Sequence, residues 1–372
     1  MSLRILLMGD YSNVHATLAD GLRELGHDVI VASDGDGWKN YARDVDLQRK
    51  SMNRLYSLYY YNKVSRFIDR CRDFDIVQII NPVFLPLRAE RHEGLYDRLR
   101  RQNGKVFLGA FGMDHYYIKA GMDCRTFKYS DFNMGSELRC YYENEFWERD
   151  WLNGAKGELN RRIAKDCDGI IAGLYEYYAA YRPYFADKLT YIPFPIKVRQ
   201  DISISKETPR RVKFFIGIQR ARSEYKGTDI MLQALERCRE TYPDAVEIIK
   251  VESVPFDEYR KLLYGSDFIL DQLYSYTPAM NALEAMSHGV AVVGGGEPES
   301  YDILGEKELH PVLNVLPNEE SVYECLCQIV ENRQKVPELR QQALDYIAKH
   351  HDHRKVAQQY VDFWTGNKQK ES

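Results

Sequence analysis

Glu284 is the carboxylate best placed for chemistry in this 372-residue chain. It lies in SDFILDQLYSYTPAMNALEAMSHGVAVVGGG, between a short apolar run at 268–270 and a β-branched run at 290–293. Both runs fit buried strands. Between them the spacing of Met280, Leu283 and Met286 predicts a helix, with Pro278 in its first turn and Gly289 at its stop. Ser275, Tyr276 and Thr277 precede that helix, so its free N–H groups should point to the carboxyl edge of a parallel sheet, as an anion site would require. The bland alternative is a glutamate that only decorates a helix. A second candidate is cationic: Arg220, Arg222 and Lys226 fall in QRARSEYKG, between a buried strand at 212–218 and a helix from Thr228 to about Glu240. Basic runs are usually solvated, but one held between a strand and a helix start reads as an anion site. Two further groups follow strands near the N-terminus. Asp10, Ser12 and His15 sit in the turn after the first strand, where His15 either binds or merely caps the helix or lies exposed. Asp114 and His115 follow the strand at 105–112, where Asp114 either faces a ligand or caps a helix.

The elements that must position these residues alternate strand and helix. RILLMG is a strand, 14–25 an amphipathic helix closed by Gly26, and HDVIVAS a second strand. Further strands read at 75–82, 105–112, 168–173 and 189–195, then, beyond a charged linker at 197–211, at 212–218, 246–251 and 313–316. The sequence therefore predicts an α/β protein of two domains, 1–196 and 212–348, followed by a closing segment at 349–372. Residues 40–71 read as a basic, tyrosine-rich helix that suits solvent, a dimer or an acceptor equally. Residues 121–160 are polar, aromatic and irregular and yield no reading. A dinucleotide site is disfavoured, because the first turn is GDYSNVH and lacks the second glycine that lets a pyrophosphate approach the backbone.

Composition narrows the class further. The chain has 44% hydrophobic and 28% charged residues, as a soluble globular protein does, and 51 basic against 55 acidic residues give no general attraction to nucleic acid. Seven scattered cysteines suggest neither a disulfide framework nor a metal pair, so a reducing cytoplasmic setting is expected. No apolar run approaches a membrane span, and no signal peptide is evident. Tyrosine is abundant, 28 against 15 phenylalanines. Such rings favour half-wet surfaces. Metal sites are not expected. The formal DxD at Asp34–Asp36 lies in a turn away from the cationic loop, and HHDH at 350–353 suits a cap with exposed imidazoles better than zinc.

LEAMSHGVAVV resembles the EAMA-x-G-x-PVV signature of family 4 glycosyltransferases, retaining GT-B enzymes that transfer sugar from a nucleotide diphosphate. QRARSEYKG resembles that family's G-R-x-x-x-EKG loop. The resemblance is loose over most of the chain and close over these two segments. It implies two Rossmann-like β/α/β domains facing a cleft, the first binding acceptor and the second donor, with the last helix crossing back to the first domain. It also implies that Glu284 binds the donor ribose and that Lys226, with Arg220 or Arg222, meets the diphosphate. Gly217, Asp271, Tyr276 and Asn281 complete the expected donor set, and His15, Asp114 and Lys226 the catalytic one. The family places a second glutamate eight positions before the first. Here that position is Tyr276, with Asp271 and Gln272 as the nearest polar substitutes. The implied activity is transfer from a UDP- or GDP-sugar to a hydroxyl of a glycan, lipid-linked saccharide or small glycoside, without metal or other cofactor. Peripheral membrane contact is compatible with such an acceptor, and oligomeric state is left open. A non-catalytic nucleotide- or sugar-binding subunit is the alternative.

Overall fold

Short aliphatic and β-branched runs bounded by Gly, Asp or Pro become strands, and the amphipathic stretches between them become the helices that cover those strands. The computed structural model describes residues 2–140, 142–219 and 222–366, without the side chains of Trp38, Tyr142 and Glu143. Strands β1 (Arg4–Met8), β2 (Asp28–Ser33), β3 (Val45–Asp46), β4 (Ile76–Ile79), β5 (Lys105–Ala110), β6 (Asn133–Met134), β7 (Glu137–Leu138), β8 (Gly169–Ala172) and β9 (Leu189–Tyr191) come from the first half of the chain. Strands β10 (Val212–Ile218), β11 (Val246–Glu252), β12 (Phe268–Leu270), β13 (Ala291–Gly294) and β14 (Val312–Asn314) come from the second.

The chain divides into two units. The first has a seven-stranded sheet of order β3-β2-β1-β4-β5-β8-β9, with every pair parallel. Its interior strand β1 has Ile5, Leu6, Leu7 and Met8 fully buried, as a parallel strand covered on both faces requires. The chain returns to this unit at His353. There the helix His353–Thr365 packs on the helix Val14–Glu24, burying Val356, Ala357, Tyr360 and Trp364. The Trp364 indole N–H donates to the Gln78 side-chain oxygen at 3.3 Å.

The second unit has a five-stranded parallel sheet of order β11-β10-β12-β13-β14. Its core joins Phe214, Ile216, Phe268, Leu270 and Val293 of the strands to Met231, Leu235, Leu326 and Ile329 of the helices. Residues 127–140 also belong to this unit, although they interrupt the sequence of the first. They form the β6–β7 hairpin and a strap beside it. No hydrophobic period marks this stretch, so no local signal announces its place in the second unit.

Each sheet reverses direction of growth once. The neighbours of β1 are β2 and β4, and the neighbours of β10 are β11 and β12. At such a switch point the loops leaving adjacent strands part, and a crevice opens at their carboxyl ends. The chemistry-bearing residues follow these strand ends. The abundant tyrosines do not all lie on half-wet surfaces: Tyr60, Tyr96, Tyr181, Tyr346 and Tyr360 are fully buried core residues.

Candidate functional site

At the switch point of the second unit, β10 ends on Gly217 and Ile218, and β12 leads into Asp271. Gly217 has no Cβ to occupy the place of the Tyr259 ring, which would lie 3.0 Å from such an atom. Tyr259 donates its hydroxyl to the Asn281 side-chain oxygen at 3.2 Å, and the Asn281 amide donates to the Asp271 carboxylate at 3.0 Å. Asp271 is buried, so this chain of bonds fixes its orientation. Asn281 and Glu284 are three residues apart in the helix Met280–Met286 and share one face. That helix starts after Pro278, because Ala279 is still extended. At seven residues its end charge is too small to carry an anion site alone.

Glu284 is half-exposed and asymmetrically held. Its Oε1 accepts from the Tyr264 hydroxyl at 2.7 Å, and the Arg260 guanidinium stands 3.6 Å from the same oxygen. Arg260 in turn donates to the Tyr264 oxygen at 2.8 Å. Burial, and then the charge of Glu284, push the Tyr264 hydroxyl well above the usual tyrosine range, so it stays a donor. The Tyr264 ring stacks on His288 with centroids 3.5 Å apart and planes nearly parallel. Burial lowers the His288 pKa, which leaves a neutral ring against the tyrosine. Glu284 Oε2 has no hydrogen bond among the described residues and is open to a ligand donor. Tyr259, Arg260 and Tyr264 all come from the helix Phe256–Tyr264. The sequence signalled that helix but not its role, which arises only where it faces Asn281 and Glu284.

The cationic loop follows β10. Ser223–Lys226 is a single helical turn, and Gly227 at φ 73° joins it to the helix Thr228–Thr241. A side chain at Gly227 would be strained there and would lie 2.8 Å from Leu273. The Leu273 N–H donates to the Lys226 carbonyl at 3.0 Å, tying the loop to the segment after β12. Lys226 is half-buried. Arg222 is exposed, with its guanidinium 5.0 Å from the Tyr225 ring centre. Arg220 lies outside the described residues. The 127–140 strap braces this loop: Tyr225 donates to Asp131 at 2.7 Å, and Arg139 donates to the Glu224 carbonyl while stacking on Tyr274.

Tyr276 is buried against Phe127 and Tyr129, and its hydroxyl oxygen accepts the Lys128 N–H at 2.7 Å. The carboxylate in this neighbourhood is Glu297, whose N–H donates to the Tyr276 carbonyl. It accepts from Tyr129, Asn314 and the Lys128 ammonium at 2.7–3.0 Å. Burial alone would raise its pKa, but these donors outweigh that and hold it below the usual range.

No protein-family model matches the sequence, and no curated protein matches it. Solved structures do match over nearly the whole length. Anabaena HepE in complex with UDP and glucose is 12% identical, with 98% of this chain and 100% of that chain covered at a TM-score of 0.61. Sucrose-phosphate synthase from Thermosynechococcus elongatus is 11% identical, with 98% and 99% covered at 0.62. UDP-GlcNAc 2-epimerase from Neisseria meningitidis, bound to UDP-GlcNAc, is 12% identical, with 98% and 99% covered at 0.52. The fold is GT-B. At these identities the likeness concerns the fold alone, and a GT-B scaffold carries more than one chemistry.

In the first unit of this GT-B chain, His15 is fully buried rather than exposed, and Asp10 caps its helix by accepting the His15 and Ala16 N–H groups at 3.0 and 3.2 Å. His15 Nδ1 donates to the Gly9 carbonyl at 2.7 Å, so Nε2 is an acceptor, and it has no partner. Burial lowers the His15 pKa to about 3, and burial raises that of Asp10 to about 7. Asp114 is the cap of the helix His115–Met122, accepting the Tyr117 N–H at 2.9 Å. Its other oxygen accepts from Tyr181 at 2.9 Å, and burial pushes its pKa up to about 7.

The formal DxD is occupied by a cation of the chain itself, since Lys39 meets Asp36 at 2.7 Å. The expected exposed imidazoles at 350–353 are not exposed. His351 and His353 are buried, and His350 pairs with Glu306. Among the described residues no group of three or more His, Cys, Asp or Glu could hold a metal, and no helix is long and apolar enough to cross a membrane.

Proposed function

We propose that this chain is a nucleotide-sugar-dependent glycosyltransferase related to family 4, moving sugar from a UDP- or GDP-sugar to a hydroxyl of a glycan, lipid-linked saccharide or small glycoside. The observation that carries the reading is Glu284. One oxygen is held by Tyr264 and Arg260, and the other is open, beside the strand ends where a GT-B nucleotide would lie. A ribose hydroxyl donates well to such a carboxylate. Gly217 and the Asp271–Asn281 pair shape the adjoining wall, and Lys226 with Arg222 or Arg220 meets the diphosphate. As the bond to the anomeric carbon breaks, negative charge grows on the departing phosphate, and a fixed ammonium favours that state over the ground state. This arrangement needs no metal, and transfer with retention is the form the family resemblance supports. In the first unit, His15 holds no proton to give at neutral pH, its pKa being near 3, and with Nε2 buried it would act on an acceptor only by positioning the turn after β1. Asp114 would act on an acceptor only through the helix it caps.

A second reading, a nucleotide- or sugar-binding subunit without turnover, is favoured by Tyr276. It stands where the family has its second carboxylate, and it is packed into the strap. The deciding experiment incubates the chain with UDP-glucose, UDP-GlcNAc and GDP-mannose, with and without saccharide acceptors, and measures released nucleotide. Acceptor-dependent release that is lost in Lys226→Ala supports transfer. Tight nucleotide binding without release under any condition would leave the binding subunit.

A further inference from the structure

The helix Arg54–Arg70 carries an outward face that nothing in the reaction uses. Its inward line is Tyr60, Val64 and Ile68, all buried. On the opposite side Leu55, Asn62 and Arg66 fall on one line at helical spacing. Around the start of that line Met52, Leu55, Leu58 and Tyr59 are 81%, 79%, 55% and 61% exposed. Such a cluster of large apolar side chains on one exposed ridge marks an interaction surface.

Charge identifies the partner. Lys50, Arg54, Arg66 and Arg70 are exposed and make no ion pair among the described residues. Lys63 donates to the Asp46 carbonyl and keeps its charge. The helix has one carboxylate, Asp69, and Arg98 already holds it at 2.8 Å. A second copy of this chain would bring cations to cations, with no acid on the face to meet them. The face is also a ridge of one helix, where a protein partner would need a groove. A bilayer surface accepts a ridge: apolar tips enter the acyl boundary, and cations with long stems reach anionic headgroups.

We propose that the helix Arg54–Arg70 docks the first unit on an anionic lipid surface, with Met52, Leu55, Leu58 and Tyr59 inserted and Lys50, Arg54, Arg66 and Arg70 at the headgroups. The helix lies in the interface and does not span, since it is 17 residues long and rich in charge. Apolar insertion and a basic patch are two weak signals that act together, so neither alone should suffice. This docking is independent of the proposed reaction and needs no nucleotide.

The test is cosedimentation of the full chain with vesicles of phosphatidylcholine alone or mixed with phosphatidylglycerol, at low and high salt. The chain is expected on anionic vesicles and not on neutral ones, with binding weakened by salt. Leu55→Glu and Leu58→Glu should each weaken it about tenfold or more, and Arg66→Gln and Arg70→Gln about fivefold each. Arg66→Lys should keep wild-type binding. All these side chains are exposed, so thermal midpoints should not move. Absence of wild-type binding, or equal binding by wild type and variants, overturns the proposal. So does a dimer in sedimentation velocity that Leu55→Glu dissociates while vesicle binding is unchanged, which would assign the face to a second copy.

Discussion

Glu284 meets its neighbours through one oxygen only, and that asymmetry sets what its removal should do. With Oε2 open, Glu284→Ala removes one or two charge-assisted bonds to ribose hydroxyls, less what water replaces. The loss should be about 2–3 kcal/mol, or roughly thirty- to a hundredfold in nucleotide affinity. The 2′,3′-dideoxy nucleotide should bind wild type and variant almost equally. Discrimination as strong as that shown by the natural nucleotide would assign Glu284 to helix stability or the sugar instead. Lys226 has a different signature. If it favours charge on the departing phosphate, Lys226→Ala should reduce turnover more than it weakens binding of the free nucleoside diphosphate. Either Arg222→Ala or Arg220→Ala should share that pattern. Steady-state kinetics beside equilibrium titration would show it, and two silent arginine variants would remove the loop from the mechanism.

At the scale of elements, the helix capped by Asp114 contains a pH test. The carboxyl is raised from the ordinary range to about 7 by burial. The folded state therefore holds its proton where the unfolded state has lost it, so the stability it contributes is full below about pH 3.8 and falls as pH rises through 7. Asp114→Asn keeps an acceptor for Tyr117 and removes the titration. Relative to wild type, the variant should gain about 2 kcal/mol between pH 5 and pH 8, measured by urea unfolding at each pH. Constant difference across that range would mean the carboxyl ionises normally. The buried imidazoles His15 and His92 act oppositely but are unchanged by this substitution, so the comparison isolates Asp114. The strands of the two parallel sheets, except the short β3, were legible in the sequence, because apolar runs and their stops are local signals, whereas the switch points follow from strand order, which no local signal carries. The place of Glu284 was legible too, between two such runs. The helix Phe256–Tyr264 was legible only as a helix, since Tyr259, Arg260 and Tyr264 gain their roles from residues more than a strand away. The 127–140 strap was not legible at all. Its order comes from Tyr225, Tyr276 and Glu297, distant in sequence, and no periodicity announces such partners. The role of His15 is not legible for a similar reason: its burial depends on packing that a turn sequence does not encode.

For the whole molecule, nucleotide binding should be unchanged by EDTA, because the cationic loop is to do what a metal would. A tenfold loss on chelation, read by titration calorimetry, would reject that account. Stability of the first unit should depend on its last helix. Trp364 is fully buried and bonded to Gln78, so Trp364→Ala should cost about 3–5 kcal/mol. A loss below about 1 kcal/mol in urea unfolding would make that helix dispensable. The chain passes between its two units at 126, 141, 195 and 352, and this has a consequence for its birth on the ribosome. The helix Val14–Glu24 has an apolar side meant for the helix His353–Thr365, and everything from Ile196 to Asp352 is synthesised between the rest of the first unit and that cover. At about 5–20 residues per second the delay is roughly ten to thirty seconds. For that interval the nascent first unit exposes the surface that Tyr360 and Trp364 later seal, so chaperone occupancy there should persist until the helix His353–Thr365 has emerged.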